Sequence, residues 1–307
     1  INAGTLALGA SDVIANSSNV IVNGGTFDLG GYSDTVAAVT VGANGGSISS
    51  STGVLTGSSY TFNNTSPALI SARLAGSGSL TQAGSGTTTL SGSNSYSGGT
   101  FLNAGTLMVA ADANLGNTSG AITFNGGTLN STASFTVSAT RAITLLGNAT
   151  FNVNASTTLI YNGGITGSGT LTKIGLGTLI LGGSNSYTGL TTIGAGTVSI
   201  TGSLADTADV TVASGASYNV NSADTINSIL GDGSVNLGAN LSLASNTAFT
   251  FAGGFTGTGS VVKVGTGTLT LSGASTFTGE TILNGSQLIL AGPDALGSVS
   301  YTHLRAH

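Results

Sequence analysis

The chain repeats itself, and the interval of the repeat limits the folds open to it. Residues 76–109 (GSGSLTQAGSGTTTLSGSNSYSGGTFLNAGTLMV), 167–200 (GSGTLTKIGLGTLILGGSNSYTGLTTIGAGTVSI) and 257–290 (GTGSVVKVGTGTLTLSGASTFTGETILNGSQLIL) align without gaps. The second copy starts 91 residues after the first, and the third 90 after the second. A partial fourth copy opens the chain: Asn2–Leu6 matches Asn103–Leu107, and residues 22–26 match 124–128.

Apolar residues alternate within each copy. Leu179 and Leu181 flank Ile180, Leu269 and Leu271 flank Thr270, and Leu288 and Leu290 flank Ile289. A period of two is the signature of strand. Asn23-Gly24, Asn125-Gly126 and Asn162-Gly163 supply turns, because both residue types tolerate positive φ. No window has a helical period, and Gly, Ser, Thr and Asn disfavour helix. Short strands at this spacing also suit a sandwich or barrel. The near-constant repeat and the length of 307 residues favour a β-solenoid of roughly 20 residues per coil, each coil stacked at ~4.8 Å on the next. The predicted core includes Leu80, Leu90, Leu107, Leu171, Leu179, Leu181, Val198, Val261, Leu269, Leu271 and Leu288.

Composition closes off several alternatives. Charged residues are only 5%, yet 39% of the chain is hydrophobic, so it can build a core and is no disordered linker. The five cations are Arg73, Arg141, Lys173, Lys263 and Arg305, and the net charge is −5. That is too little positive charge to track a phosphate backbone, so no nucleic-acid partner is expected. The absence of Cys removes disulfides and thiolate metal sites. No run approaches the ~18 apolar residues of a membrane helix. No signal peptide is visible, and the start at Ile1 in mid-motif implies chain upstream.

The copies resemble the autotransporter-associated β-strand repeat, also called the passenger-associated transport repeat. Its pattern is Gly-x-Gly-x-Leu-x-Lys-x-Gly-x-Gly-x-Leu-x-Leu-x-Gly-x-Asn-x-Tyr-x-Gly-x-Thr. The second copy supplies Gly167, Gly169, Leu171, Lys173, Gly175, Gly177, Leu179, Leu181, Gly183, Asn185, Tyr187, Gly189 and Thr191. The third keeps Lys263 and has Phe277 in place of Tyr; the first has Gln82 for Lys and Thr88 for Leu. The resemblance implies a right-handed parallel β-helix in the passenger of a type V secreted protein. Such a passenger is displayed at the Gram-negative cell surface and acts as stalk, adhesin or self-association module. The implied partners are host matrix, glycans or another copy of the chain, with a membrane engaged only through a C-terminal β-barrel that this sequence does not include.

No catalytic, cofactor-binding or metal-binding residue is assigned. Lys173 and Lys263 read either as a ligand-facing basic row or as solvated strand residues that discourage edge pairing, and the second is expected. Tyr96, Tyr187 and Phe277 read as a sugar-binding row or as corner packing, and packing is expected. The carboxylates Asp12, Asp28, Asp34, Asp112, Asp206, Asp209, Asp224, Asp232, Glu280 and Asp294 are scattered, whereas a polysaccharide lyase or hydrolase needs a cluster. Asp206 and Asp209 are the one close pair, expected in a loop. Gly231-Asp232-Gly233 is a lone fragment of a calcium repeat. A Ser-His-Asp protease needs His, and the only two are His303 and His307. Sequons such as Asn148 and Asn154 follow from composition. An ice-binding solenoid, the remaining alternative, needs a Thr-x-Thr ladder on every coil, whereas triplets such as Thr87–Thr89 recur about once per copy.

The sequence therefore reads as one repetitive segment over 1–300, with copies near 1–30 (partial), 76–129, 167–200 and 257–297. Residues 301–307 lose the repeat's composition at once and are expected to be foreign to it.

Overall fold

A computed structural model describes residues 1–284 and 286–296, and the backbone of 305 and 306. The chain divides into two compact units, Ile1–Asn152 and Val153–His307. Both are parallel β-solenoids, and the single helical element among the described residues is one 3₁₀ turn, Asp112–Leu115.

In the first unit one sheet runs from Thr5–Ala7 through Thr26–Asp28, Gly46–Ser49, Ala68–Ile70, Thr87–Leu90 and Thr106–Val109 to Thr128–Ser131. A second runs from Val20–Val22 through Asp34–Val41, Val54–Phe62, Leu80–Gln82, Thr100–Leu102 and Ile122–Phe124 to Ile143–Leu145. The second unit has three sheets. One holds Leu171–Ile174, Thr191–Ile193, Asp209–Val212, Ser228–Gly231, Phe249–Phe251, Leu269–Leu271 and Leu288–Leu290. Another holds Thr158–Tyr161, Thr178–Leu181, Thr197–Ile200, Ser217–Val220, Ser234–Leu237 and Gly254–Gly257. The third holds Asp224–Ile226, Leu241–Leu243, Val261–Lys263, Thr281–Leu283 and Arg305–Ala306.

Register explains the core. Thr178 faces Thr197, Leu179 faces Val198 and Leu181 faces Ile200, so inward residue stacks on inward residue about one coil later. Ten of the eleven predicted core residues, all but Leu288, are at most 2% exposed. Leu288 is a correction: it is only half-buried, and Leu290 is 45% exposed. Among the described strands, Leu288–Leu290 pairs on one side alone, with Leu269–Leu271, and no described coil covers its inner face. The predicted tail over 301–307 falls outside the described residues except for the backbone of 305 and 306, which pairs with Ile282 and Leu283.

Each repeat is a self-paired two-coil unit. Its first strand pairs with its third and its second with its fourth: Leu80 with Thr100 and Thr87 with Thr106, Leu171 with Thr191 and Thr178 with Thr197, Val261 with Thr281 and Leu269 with Leu288. Glycine sets the spacing at one corner. A Cβ on Gly189 would lie 2.2 Å from the Gly169 carbonyl oxygen, and one on Gly279 2.1 Å from that of Gly259, so only glycine fits at 189 and 279.

In the second unit the repeat length is not a whole number of coils. From Leu171 the chain returns to the same sheet at Thr191, Asp209, Ser228 and Phe249, and the third copy begins two faces later at Val261. The first strand of the second copy therefore shares its sheet with the second strand of the third, Leu269–Leu271.

Candidate functional site

The repeat's polar motif residues are candidates for binding chemistry, and the structure turns them inward. Leu171 and Lys173 are two apart on one strand and point to one face, which is the core face. Lys173 and Lys263 are both 0% exposed. Both expectations for these lysines, a ligand-facing row and a solvated pair, are therefore corrected. The stem of Lys173 lines the core, and its ammonium donates to the carbonyls of Ile174 (2.9 Å), Gly175 (2.8 Å) and Ala195 (3.2 Å). Lys263 donates to Ser245 (2.9 Å) and Gly265, and its ammonium lies 5.8 Å from the centre of the Phe249 ring. Burial lowers the pKa of both, that of Lys173 to about 8. Gln82 takes the same place in the first copy, its amide donating to Gly84 and Gly86.

The Asn position, to which no role was given on sequence grounds, holds the coils together. Asn94 accepts the Leu74 N–H (2.8 Å), Asn185 that of Ile165 (3.1 Å), and Ser275 that of Phe255 (3.1 Å). Each side chain thus occupies one backbone donor of the coil before it. The aromatic position packs in the interior, as expected: Tyr96, Tyr187 and Phe277 are 0%, 1% and 0% exposed. The Tyr96 and Tyr187 hydroxyls pair with Thr100 (2.8 Å) and Thr191 (2.6 Å), and burial raises both pKa values. Phe277 has no hydroxyl, and the buried Oγ1 of its counterpart Thr281 is left without a partner.

These three positions line the interior at the same offsets in every copy. The chain carries three passenger-associated transport repeats. The family model described as Passenger-associated-transport-repeat matches residues 80–109, 171–200 and 261–285. No curated protein and no solved structure matches the chain. The repeats imply an autotransporter passenger segment with a β-helix fold. Because successive transport repeats of the second unit begin on different faces, Lys173 and Lys263 stand on different sheets, as do the strands that follow Tyr187 and Phe277. Inward orientation and rotation together remove any motif-based ligand row from that unit.

Carboxylates, all of them away from these three motif positions, hold turns and neighbouring coils. Asp34, 1% exposed, accepts the N–H groups of Val13 and Ile14. Asp28 accepts from Gly30 N–H and the Ser49 hydroxyl. Asp112 pairs at 3.1 Å with Arg141, a fully buried guanidinium that also donates to the carbonyls of Leu115, Gly116, Asn117 and Gly120. Asp206 and Asp209 do not act as a pair. Asp206 is in a turn, as expected, whereas Asp209 opens the strand Asp209–Val212 and accepts from Asn227 and Ser228. Asp206 instead lines a groove with Asp224, Ser203, Asn240 and Ser242. Asp224 accepts the Leu204 N–H, and burial raises its pKa to about 6. Asp232 lines a separate groove with Gly233 and Ser234, Asp12 and Asp294 sit in turns at φ 56° and 54°, and Glu280 precedes the strand Thr281–Leu283. Among the described residues no three His, Cys, Asp or Glu side chains are placed to hold a metal ion. His303 and His307 lie outside the described residues.

The middle residue of Thr87–Thr89 points inward, its hydroxyl bonded to Asn64. Outward threonines such as Thr172, Thr192 and Thr211 stack in register, but a three-residue strand with both ends buried presents only its middle residue to solvent.

Proposed function

We propose that this chain is a non-catalytic, surface-displayed stretch of autotransporter passenger that serves as a stalk and carries adhesive or self-association contacts, delivered to the cell surface through the outer membrane. The observation that carries the reading is the inward orientation of the transport repeat's polar residues. Lys173, Lys263, Asn185 and Tyr187 are 2% exposed or less, and their donors and acceptors meet backbone or side chains of the same solenoid. A repeat whose polar groups are engaged in this way maintains length and stiffness and leaves its outer surface free to vary.

The test is display on a Gram-negative cell behind an outer-membrane β-barrel anchor, compared with the same anchor alone. The reading expects protease-accessible solenoid at the surface, added adhesion or clumping, and no release of products from pectin, cellulose or host-matrix polysaccharides. Polysaccharide turnover abolished by Asp206→Asn or Asp224→Asn would overturn it in favour of a carbohydrate-active β-helix.

A further inference from the structure

One concave site in the first unit has no carboxylate in its lining, and it meets the first repeat only at Ser91, Gly92 and Ser93. It is a groove of about 260 Å³ bounded by Ser50, Ser51, Thr52, Ser71, Arg73 and Ser91, with Gly53, Gly92 and Ser93 completing its lining. Its concavity has a backbone cause. A Cβ on Gly53 would lie 1.7 Å from the Tyr32 carbonyl oxygen, and one on Gly92 2.3 Å from that of Ala72. Both glycines are pressed onto the preceding coil, and the absence of side chains there leaves a trough.

The groove crosses three coils. Ser50 follows Gly46–Ser49, Ser71 follows Ala68–Ile70, and Ser91 follows Thr87–Leu90, successive strands of one sheet. Its two ends are therefore ~10 Å apart at the usual strand spacing. The hydroxyls of Ser50 and Ser51 donate to the Gly30 carbonyl and keep their lone pairs for a ligand. Arg73 lies at the middle coil, exposed, and its guanidinium, which carries five N–H donors, gives one of them to the Ser95 hydroxyl (3.2 Å).

We propose that this groove binds an acidic oligosaccharide, with a uronate carboxylate on Arg73 and sugar hydroxyls on the serines. A planar guanidinium takes a carboxylate through two parallel N–H···O bonds. A row of hydroxyls that both donate and accept suits the hydroxyls of a sugar chain. A small inorganic anion would use the guanidinium and leave the row idle. The proposal goes beyond the stalk reading, which requires no ligand, so its failure leaves that reading standing.

Titration of the full chain with trigalacturonate tests it, using calorimetry and amide shifts. Saturable binding is expected, with shifts at Ser71, Arg73 and Ser91. Arg73→Gln should weaken binding about tenfold or more without lowering the melting temperature, and Ser91→Val should weaken it less. The methyl ester of the same trimer should bind no better to the native protein than the acid does to Arg73→Gln. The proposal is overturned by any of four results: no saturable binding, equal binding by Arg73→Gln, equal binding of the ester, or inorganic sulfate binding as tightly as the trimer.

Discussion

The first and second repeats solve one problem with different side chains. At the turn after the opening strand, carbonyl oxygens face inward and need donors. In the second repeat Lys173 brings three donors and no acceptor to three carbonyls. In the first, Gln82 supplies its amide hydrogens to Gly84, Gly86 and Asn64, but its own Oε1 is buried without a partner. The difference teaches that the position selects for donors and not for charge. An ammonium fits an acceptor-only site, whereas an amide adds an acceptor that the site cannot serve. Desolvation opposes the ammonium, as the lowered pKa of Lys173 shows.

The strongest way to break the comparison is at the core position the repeats share. Leu179→Asp would place an unpaired carboxylate between Leu159 and Val198, and should cost more than about 4 kcal/mol in denaturant melts. Next, Lys173→Ala leaves three inward carbonyls without their donor and should cost about 1–3 kcal/mol. Lys173→Gln, which copies the first repeat, should cost less than Lys173→Ala. Equal losses for the two would show that charge, and not donor count, is what the site uses.

A smaller effect sharpens the same contrast between the second and third repeats. Tyr187→Phe orphans Thr191 and should destabilise by about 1 kcal/mol, while Phe277→Tyr gives Thr281 its missing partner and should stabilise by up to about 1 kcal/mol. Opposite signs in thermal melts are the expected outcome, and a loss in both would contradict the assigned pairing.

The same comparison can be sharpened by pH. Asp224 has its pKa raised from 3.8 to about 6, so the folded state holds a proton that the unfolded chain releases. Its stabilising contribution is complete below about pH 4 and is lost as pH rises to about 6. Lys173 is lowered from 10.5 to about 8, so the unfolded chain holds more protons and stability rises from about pH 8 to 10.5, with Lys263 contributing in the same direction. Melting curves against pH should show both limbs. Asp224→Asn should flatten the first, and Lys173→Gln should reduce the second.

The solenoid, its parallel register and most of its core were legible from the alternation of Leu, Ile and Val at repeat spacing. The inward lysines were legible too, in phase if not in polarity. Leu171 and Lys173 differ by two, so the period that buries one buries the other. Expecting a charge to be solvated overrode the pattern, because sequence alone does not show that glycine-rich turns bring carbonyls within reach of Nζ. Leu288 failed for the opposite reason: its phase is right, but burial also needs a covering coil. The Arg73 groove was not legible. Its residues span Ser50 to Ser93 and meet only because coils of about 20 residues stack.

The fractional turn between successive copies makes copy number an angular setting. In the second unit a copy advances the chain by four coils and two faces, so the next copy opens on a different side. Adding one such copy would lengthen the solenoid and also turn every surface feature beyond it by two of the three faces. A lineage that gains or loses one repeat could thereby present the same loops in a new direction without changing a residue in any of them.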